Sequence, residues 1–437
     1  MQSKSNLADR RVVLVATTLG YQIRSFGEAA SKLAVRLVFA SDRCDRLDDP
    51  WRDAAIPVRF HEQARSVAAV VSACGDTPPD GIVAVGDRPA VLAAHLAAAF
   101  GMPGHPPRSA AISRNKLLTR RVLQEVGLPT PWFASVDIES GAVAGGADVP
   151  FPAVVKPLAL SGSRGVVRVD SAAEYDAAIR RLQELLKAPD VRVERDAAHG
   201  QAIVEAFIPG AEYAVEGLLS HGVLQILAIF DKPDPLDGPF FEETIYRTPS
   251  VATPDVQQRI MTAVTDAVRA IGLQHGPVHA ECRVNDEGVY VLEVAARPIG
   301  GICSRALRFR AGQSPVSADV SLEEILLRHA LGEDVSAYAR EPRASGVMMI
   351  PIPRRGIYRR VEGVDAALAV IGVGDVRITA KPDAPIVPLP EGRSYLGFIF
   401  ANATEPSAVD RALRDANACL HFVIDREVAV VSQQPLE

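Results

Sequence analysis

VHAECRVNDEGVYVLEVAARP, residues 278–298, consists of two apolar strand-like runs joined by an NDEG turn. Each run contains one carboxylate, Glu281 in the first and Glu293 in the second. Burying an unpaired carboxylate is costly, so two of them on adjacent antiparallel strands should share a compensating positive charge. Counting from the turn places the two across the strand pair from each other. Because hard cations prefer oxygen ligands, we expect Mg²⁺ there, or Mn²⁺ in its place. The alternative is a structural ion pair with an arginine such as Arg283 or Arg297.

Arg297 follows Glu293 by four residues and directly precedes the segment PIGG. A guanidinium at this position can bind transferred phosphoryl oxygens or a developing oxyanion. Gly300 and Gly301 would let the backbone approach a substrate closely. We therefore expect a reacting centre beside the predicted Mg²⁺ site.

Upstream, Lys156 ends the apolar run FPAVVKP and is soon followed by the small-residue segment SGSRGV, residues 161–166. Backbone N–H groups of such a loop can surround phosphate oxygens, and a lysine ammonium adds a compact positive charge. A surface hairpin is the simpler interpretation of the same pattern. The GxxxxGK[ST] sequence of a P-loop is not present.

The segment IVEAFIPGAEYAVEG places Glu205 and Glu212 at the ends of two strand-like runs on either side of a Pro-Gly turn. Glu212 is suited to accept hydrogen bonds from ribose hydroxyls. The backbone of Ala206, Phe207 and Ile208 can pair with an adenine edge, while the side chains of the latter two cover its faces. The alternative is a plain hairpin with solvated carboxylates.

The first hundred residues alternate apolar runs and helical stretches in the order βαβαβα, which predicts a parallel sheet flanked by helices, although no GxGxxG follows the first strand. A helix is expected over 113–126, with Ser113 as its N-cap. The fold class is therefore α/β and α+β, multidomain. The predicted boundaries are a Rossmann-like N-terminal domain at 1–110, a helical linker at 111–150, a lid at 151–215, a catalytic subdomain at 216–340 and a C-terminal α+β domain at 341–437.

Composition indicates a globular protein whose partners are small molecules. The 437 residues carry a formal net charge of -6 without a long Lys/Arg run, which argues against nucleic acid as a partner. The chain has neither a bilayer-length apolar run nor a signal-peptide core, so we expect no membrane partner and a cytoplasmic location. The oligomeric state stays open, with a homodimer as one option. The odd, scattered cysteines disfavour a disulfide framework or a zinc site; they are Cys44, Cys74, Cys282, Cys303 and Cys419.

Taken in order, RNKLLTRRVLQEVGLPTP, VVKPLALSGSRGV, VEAFIPGAEY, HAECRV and LEVAARPIGG resemble the ATP-grasp superfamily over roughly 11–331. The resemblance implies a Rossmann-like pre-ATP-grasp domain, an ATP-grasp fold of the carbamoyl-phosphate synthase and biotin carboxylase type, and a small C-terminal domain. Within the superfamily the chain is similar to carboxylate-amine ligases such as L-amino acid ligases. The reason is that ExAAR, residues 293–297, stands where many relatives have ExN.

The resemblance also implies a role for each motif residue. Phosphate binding would fall to Lys116, Lys156, Ser161, Gly162, Ser163 and Gly165, with Lys156 also catalytic. Adenosine binding would fall to Glu205, Ala206, Phe207, Ile208 and Glu212. Glu281 and Glu293 would hold Mg²⁺, with Ala295 in place of the common Asn ligand. Arg297 would act at the reacting centre, with Gly300 and Gly301 beside the substrate. The segment GPFFEETIYRTPS resembles a substrate-side loop in which Glu242 or Glu243 receives a substrate amino group.

The activity implied by this resemblance is ATP-dependent ligation of a carboxylate to an amine through an acyl phosphate, with ATP and Mg²⁺ as cofactors. Small-molecule carboxylates and amines, amino acids among them, would be the substrates. Two alternatives stay open at this point. One is activation of bicarbonate, as in carboxylases and carbamoyl-phosphate synthases. The other is a nucleotide-binding regulator that lacks turnover.

Overall fold

The computed structural model describes residues 7–18, 22–43, 55–311 and 319–426. Cys44 lies outside the described residues. The predicted βαβαβα order of the N-terminal part is confirmed, with one additional short strand. Its elements are β1 (Arg11–Ala16), α1 (Ile23–Leu33), β2 (Arg36–Ser41), β3 (Ile56–Pro57), α2 (Gln63–Cys74), β4 (Gly81–Val85) and α3 (Asp87–Phe100). The strands form a parallel sheet in the order β3-β2-β1-β4.

Two helices follow where one was predicted: α4 (Pro107–Arg114) and α5 (Lys116–Glu125). The prediction that Ser113 is the N-cap is therefore wrong. Asn115 has an extended backbone that interrupts the helix, and its side chain accepts hydrogen bonds from the N–H groups of Leu117 and Leu118, both at 3.1 Å. The side-chain oxygen of an Asn satisfies free N–H groups at a helix start, which explains the break. Lys116 becomes the first residue of α5.

The predicted lid is a second four-stranded sheet covered by a helix. It consists of β5 (Phe133–Asp137), β6 (Ala153–Pro157), β7 (Val167–Val169), α6 (Ala172–Leu186), α7 (Pro189–Arg192) and β8 (Gln201–Ala206). The strand order is β5-β8-β6-β7. β5 lies in the segment predicted as a linker and pairs antiparallel with β8. Ser171 caps α6 by accepting a hydrogen bond from the N–H of Glu174.

The rest of the chain is built mainly on an eight-stranded sheet, with two smaller sheets beside it. The first elements of this part are β9 (Ala211–Ser220), β10 (Val223–Asp231), β11 (Ile245–Thr248), α8 (Pro254–Ile271), β12 (Gly276–Val284), β13 (Val289–Ala295), β14 (Phe309–Ala311) and α9 (Leu322–Ala330). They are followed by β15 (Tyr338–Arg340), β16 (Ala344–Ile350), β17 (Gly356–Glu362), α10 (Val364–Leu368), β18 (Val373–Ile378), β19 (Pro385–Ile386), β20 (Gly397–Ala403), α11 (Pro406–Cys419) and β21 (His421–Asp425).

The eight-stranded sheet has the order β13-β12-β9-β10-β11-β16-β20-β18, while β14 pairs with β15 and β17 lies between β19 and β21. The predicted catalytic and C-terminal segments thus both contribute strands to the large sheet. The domain boundaries themselves stay predictions. Short 3₁₀ helices lie at Ala144–Gly146, Ala197–Gly200 and Cys303–Ala306. Among the residues described, no helix is both long and apolar enough to cross a membrane.

A continuous apolar core fixes the N-terminal sheet against the large sheet. Leu14 of β1, Phe230 of β10 and Phe398 of β20 are all fully buried within it. Removal of this apolar surface from water stabilises the junction of the two sheets. The edge of the N-terminal sheet is thereby placed beside the strands that carry the predicted ligands.

The Pro209-Gly210 turn connects two sheets and is not the tip of a hairpin. β8 before it belongs to the lid, whereas β9 after it pairs with β10 and β12 of the large sheet. The plain-hairpin alternative is therefore wrong. Gly210 has a φ of 119°, and an added Cβ would lie 2.2 Å from the carbonyl oxygen of Val284, so only glycine fits. The turn places Glu205 and Glu212 on the two sides of one cleft.

Candidate active site

A cavity of about 310 Å³ lies where the lid, the large sheet and the N-terminal sheet meet. Its wall includes nearly every residue that the sequence singled out. Those are Lys116, Lys156, Ser161, Gly162, Ser163, Glu205, Ala206, Phe207, Ile208, Glu212, Glu243, Glu281, Glu293, Arg297, Gly300 and Gly301. Gly165 and Glu242 are not part of this wall. Gly165 instead donates its N–H to the carbonyl of Pro390 at 2.8 Å.

The side chain of Lys156 is only 14% exposed and faces the cavity, which rules out the surface-hairpin alternative. Its Nζ lies 2.5 Å from Glu205 Oε2, and Arg120 Nε lies 2.6 Å from the other oxygen. Burial alone would raise the pKa of Glu205, but Arg120 and Lys156 outweigh it and lower the pKa to about 2. Burial is also the main reason why the pKa of Lys156 is lowered. Glu205 stays ionised and fixes the ammonium at the cavity wall.

Lys116 joins the phosphate-loop side of the cavity to the predicted metal ligands. Because it opens α5, its side chain projects into the cleft, where Nζ donates to the carbonyl of Leu160 at 2.8 Å. The same Nζ lies 3.6 Å from Glu293 Oε2. The two lysines and the segment 161–163 therefore form one electropositive side of the cavity.

Glu281 and Glu293 are directly opposite each other in the β12–β13 pair, as counting from the turn predicted. Both carboxylates face the cavity, with 21% and 27% of their side-chain surfaces exposed. Adjacent oxygen ligands of this kind fit Mg²⁺ or Mn²⁺. Ala295 is buried and supplies no ligand atom.

The proposed arginine partners of this carboxylate pair bind elsewhere. Arg283 Nε lies 2.9 Å from Glu212, and Arg297 Nε lies 2.7 Å from Asp87. The structural ion pair offered as the alternative is therefore not the arrangement in the described residues. Glu281 and Glu293 keep oxygen atoms directed at the cavity.

Lys232 is a site residue that the sequence interpretation missed. Its buried ammonium lies 2.8 Å from Glu212, 2.5 Å from Glu243 and 2.9 Å from Glu281. These three carboxylates are close enough to bind one cation, and in this structure the ammonium is among them. Burial raises the pKa of Glu243, Lys232 opposes this and Glu281 adds to it, with a result of about 7. The available signal was that Lys232, like Lys156, ends an apolar strand in a chain with few lysines.

The N-terminal sheet contributes Asp87, another residue that was missed. It is the first residue of α3, and it lies 210 positions from Arg297, so no local pattern connects the two. Burial alone would raise the pKa of Asp87, but Arg297 outweighs it and lowers that pKa. The guanidinium is thereby held at the cavity wall with its charge partly balanced.

The predicted adenine wall is built around Phe207. Guanidinium groups of Arg168 and Arg283 lie 4.4 and 5.1 Å from the centre of its ring. Such cation–π contacts hold the ring in place, and Arg283 Nη1 also donates to the carbonyl of Ile208 at 2.8 Å. The N–H of Phe207 donates to the carbonyl of Pro152 at 2.9 Å. Glu212, predicted for the ribose, hydrogen-bonds both Lys232 and Arg283. Glu242 is half-buried, and burial raises its pKa.

Behind Glu281 lies His279, which was also missed although it stands within HAECRV. Burial would lower the pKa of His279, but the hydrogen bond to Glu216 and the nearby carboxylate of Glu281 outweigh it and raise the pKa to about 9. His279 lines the cavity, whereas Glu216 does not. The imidazole therefore carries positive charge between two carboxylates.

Two protein families match separate parts of the chain. The ATP-grasp domain family matches residues 149–306, and the L-amino acid ligase C-terminal domain 2 matches residues 348–425. The first range contains Lys156, Glu205, Glu281, Glu293 and Arg297. The second contains β17 to β21.

Among solved structures, the L-amino acid ligase from Bacillus licheniformis superposes with a TM-score of 0.80 at 26% identity, covering 96% of this chain and 99% of that one. Carnosine synthase 1 of Gallus gallus is 32% identical over 63% of this chain and 29% of its own length. The uncharacterized protein y4rH of Sinorhizobium fredii is 28% identical over 72% of this chain and 62% of its own length. The chain thus spans less than two thirds of these two curated relatives.

Proposed function

From a chain that contains an ATP-grasp domain and an L-amino acid ligase C-terminal domain, we infer an ATP-dependent carboxylate-amine ligase that forms an amide bond through an acyl phosphate. One observation carries the proposal. Lys116, Lys156, Glu281, Glu293 and Arg297 converge on a single cavity, although they come from three parts of the fold. A phosphate-binding side and an oxyanion-binding side are what two successive steps at one carboxylate require.

Nucleotide binding is assigned to the lid side of the cavity. The adenine would lie along the backbone of 206–208, against Phe207. The phosphates would extend toward Lys156, Lys116 and the segment 161–163, whose positive charges and N–H groups offset the phosphate charge. Glu281 and Glu293 would hold Mg²⁺, which when bound neutralises charge on the phosphates and orients the γ-phosphoryl group.

The first step joins a substrate carboxylate oxygen to the γ-phosphorus while the bond to ADP breaks. In the second step the amine nitrogen attacks the carbonyl carbon of the acyl phosphate, inorganic phosphate leaves and the nitrogen loses a proton. Arg297 would stabilise the oxyanion of the second step. The ion pair with Asp87, which holds its guanidinium at the cavity wall, supports this role. The closed lid keeps water from the acyl phosphate.

The substrate amino group is assigned to Glu243 rather than Glu242, because only Glu243 lines the cavity. A carboxyl group with a pKa of about 7 can accept a proton near neutral pH. Amino acids or related small carboxylates are the expected substrates. The match of 348–425 to the L-amino acid ligase C-terminal domain supports this class over bicarbonate.

The test is phosphate release from Mg-ATP with a panel of amino acids, singly and in pairs, with bicarbonate added or withheld and the products examined by mass. Release that requires a particular pair and yields a condensed mass supports the ligase. Release with bicarbonate alone would favour the carboxylase branch. Tight ATP binding without ADP formation under every condition would favour a regulator.

A further inference from the structure

A fully buried carboxylate lies beneath the cavity and is not explained by the reaction described above. Glu216 stands in the middle of β9, between β10 and β12, with 0% of its surface exposed. A carboxylate removed from water needs strong partners. Its hydrogen-bonding partners are the ring of His279 and the main-chain N–H of Ile299. His279 connects Glu216 to Glu281, and Ile299 connects it to the segment that follows Arg297.

The first contact leads to a predicted metal ligand. His279 and Glu216 are directly opposite each other in the β12–β9 pair, and Nδ1 of the ring lies 3.1 Å from Glu216 Oε2. The other ring nitrogen, Nε2, lies 3.7 Å from Glu281 Oε1. Residues two apart on a strand share a face, so the ring spans from the buried carboxylate to the one in the cavity. The hydrogen bond to Glu216 thus fixes the orientation of the imidazole.

The second contact leads to the catalytic arginine. The N–H of Ile299 donates to both oxygens of Glu216, at 3.2 and 3.1 Å. The carbonyl of Ile299 accepts a hydrogen bond from Gln22 Nε2 of the N-terminal part. This residue is therefore held on both sides, two positions after Arg297. The guanidinium of Arg297 is itself held by Asp87.

We propose that Glu216 is a positioning residue that fixes Glu281, through His279, and the backbone after Arg297 at the same time. The inference rests on the proposed function for its link to catalysis. Glu216 does not line the cavity, so it acts only through these two partners. Ligand orientation by an outer layer of hydrogen bonds commonly changes metal affinity or activity 10- to 100-fold. A residue that serves the metal ligand and the arginine together should affect both.

The experiment compares Glu216→Gln with the matched control Glu323→Gln in the full chain. Glu323 is also a buried carboxylate, with a hydrogen bond from Ser304 at 2.6 Å, but it lies outside the cavity wall. Binding of Mn²⁺ in the presence of a non-hydrolysable ATP analogue is measured by electron paramagnetic resonance. We expect Glu216→Gln to weaken Mn²⁺ binding about tenfold and Glu323→Gln to change it less than twofold.

Steady-state kinetics distinguish a positioning role from a merely structural one. At saturating Mg²⁺, Glu216→Gln should lower kcat about tenfold while the KM for ATP changes less than twofold. A lowered Tm with unchanged Mn²⁺ binding and unchanged kcat per folded molecule would overturn the proposal. If the wild type ligates no substrate pair, the proposed function fails, and the Mn²⁺ measurement still decides the positioning role.

His279→Asn is the second variant. It removes only the imidazole between Glu216 and Glu281 and leaves the hydrogen bonds between Glu216 and the N–H of Ile299. It should weaken Mn²⁺ binding as much as Glu216→Gln does, and the double variant should be no weaker than either single one, since both act along one path. Additive losses would show two independent effects and overturn the proposal. If Glu216→Gln does not fold, His279→Asn still tests the link to Glu281, and unchanged Mn²⁺ binding in this variant would overturn the proposal.

Discussion

Replacement of Glu205 by Gln tests the charge cluster that holds Lys156. The carboxylate is buried between Arg120 and Lys156, which lower its pKa from the ordinary value near 4.5 to about 2. A lowering of that size corresponds to about 3 kcal/mol of stability at neutral pH. The variant also leaves two buried cations without their partner, so the loss should be at least this large.

Differential scanning calorimetry at pH 7 measures the effect. With an entropy of unfolding of about 2.1 cal/mol/K per residue, a single transition of the whole chain should lose roughly 3 to 4 °C in Tm. The matched control is Glu184→Gln, because Glu184 pairs with Lys187 at 2.9 Å but is 77% exposed. An exposed pair contributes about 0 to 1 kcal/mol, so the control should shift Tm by no more than about 1 °C.

The contribution of Glu205 to the free energy of unfolding should decrease as the pH falls. Because the folded-state pKa of Glu205 is depressed, its contribution is complete above the unfolded pKa near 4.5 and is lost as the pH falls toward about 2. The difference in Tm between the wild type and Glu205→Gln should therefore narrow over that interval. Equal Tm values for the two proteins at pH 7, or a difference that widens on acidification, would refute the reasoning.

Three further predictions concern the site, the turn at Gly210 and the contact of the lid with the C-terminal part. Lys156→Ala should weaken ATP binding about tenfold or more, whereas Arg297→Ala should leave it nearly intact and abolish amide formation; calorimetric titration and a product assay separate them, and near-wild-type turnover in both would contradict the assignment. Gly210→Ala should lower Tm by several degrees because its Cβ would lie 2.2 Å from a backbone oxygen. Gly288→Ala, whose Cβ meets no atom within 4 Å, should leave Tm nearly unchanged. Glu391→Gln should raise the phosphate released per amide formed by up to about fivefold. Glu391 pairs with Arg181 of α6, and we expect this ion pair to help hold the lid over the cavity and exclude water; an unchanged ratio would contradict that contribution.

The two predicted metal ligands illustrate how much local sequence can determine. Glu281 and Glu293 belong to one hairpin, so counting from the turn was enough to place them opposite each other. Lys156 was found for a similar reason, because it ends a strand before a small-residue loop. Arg120, which binds the other oxygen of Glu205, was not found, since it comes from α5, 85 positions from Glu205. Propensity and spacing act over a few residues and contain no information about such a pair.

The hairpin alternative for 203–217 shows the opposite limit. Two apolar runs around Pro-Gly predict a hairpin on local grounds. The chain instead enters a second sheet at Gly210, because β9 finds its partners in β10 and β12. The choice between pairing with the preceding strand and with later ones depends on burial across whole sheets. That is a property of the tertiary structure.

The sequence by itself determined the order of the motifs, the alternation of strands and helices, and the chemistry that each motif can support. These follow from side-chain type and from periodicities of two and about 3.6 residues, which are local physical constraints. Only the tertiary structure decided that Lys232 lies among three carboxylates, that Asp87 holds Arg297, and that Glu216 lies beneath both halves of the site. Buried charges select their partners by the balance of desolvation and attraction, and that balance exists only once distant segments have packed together.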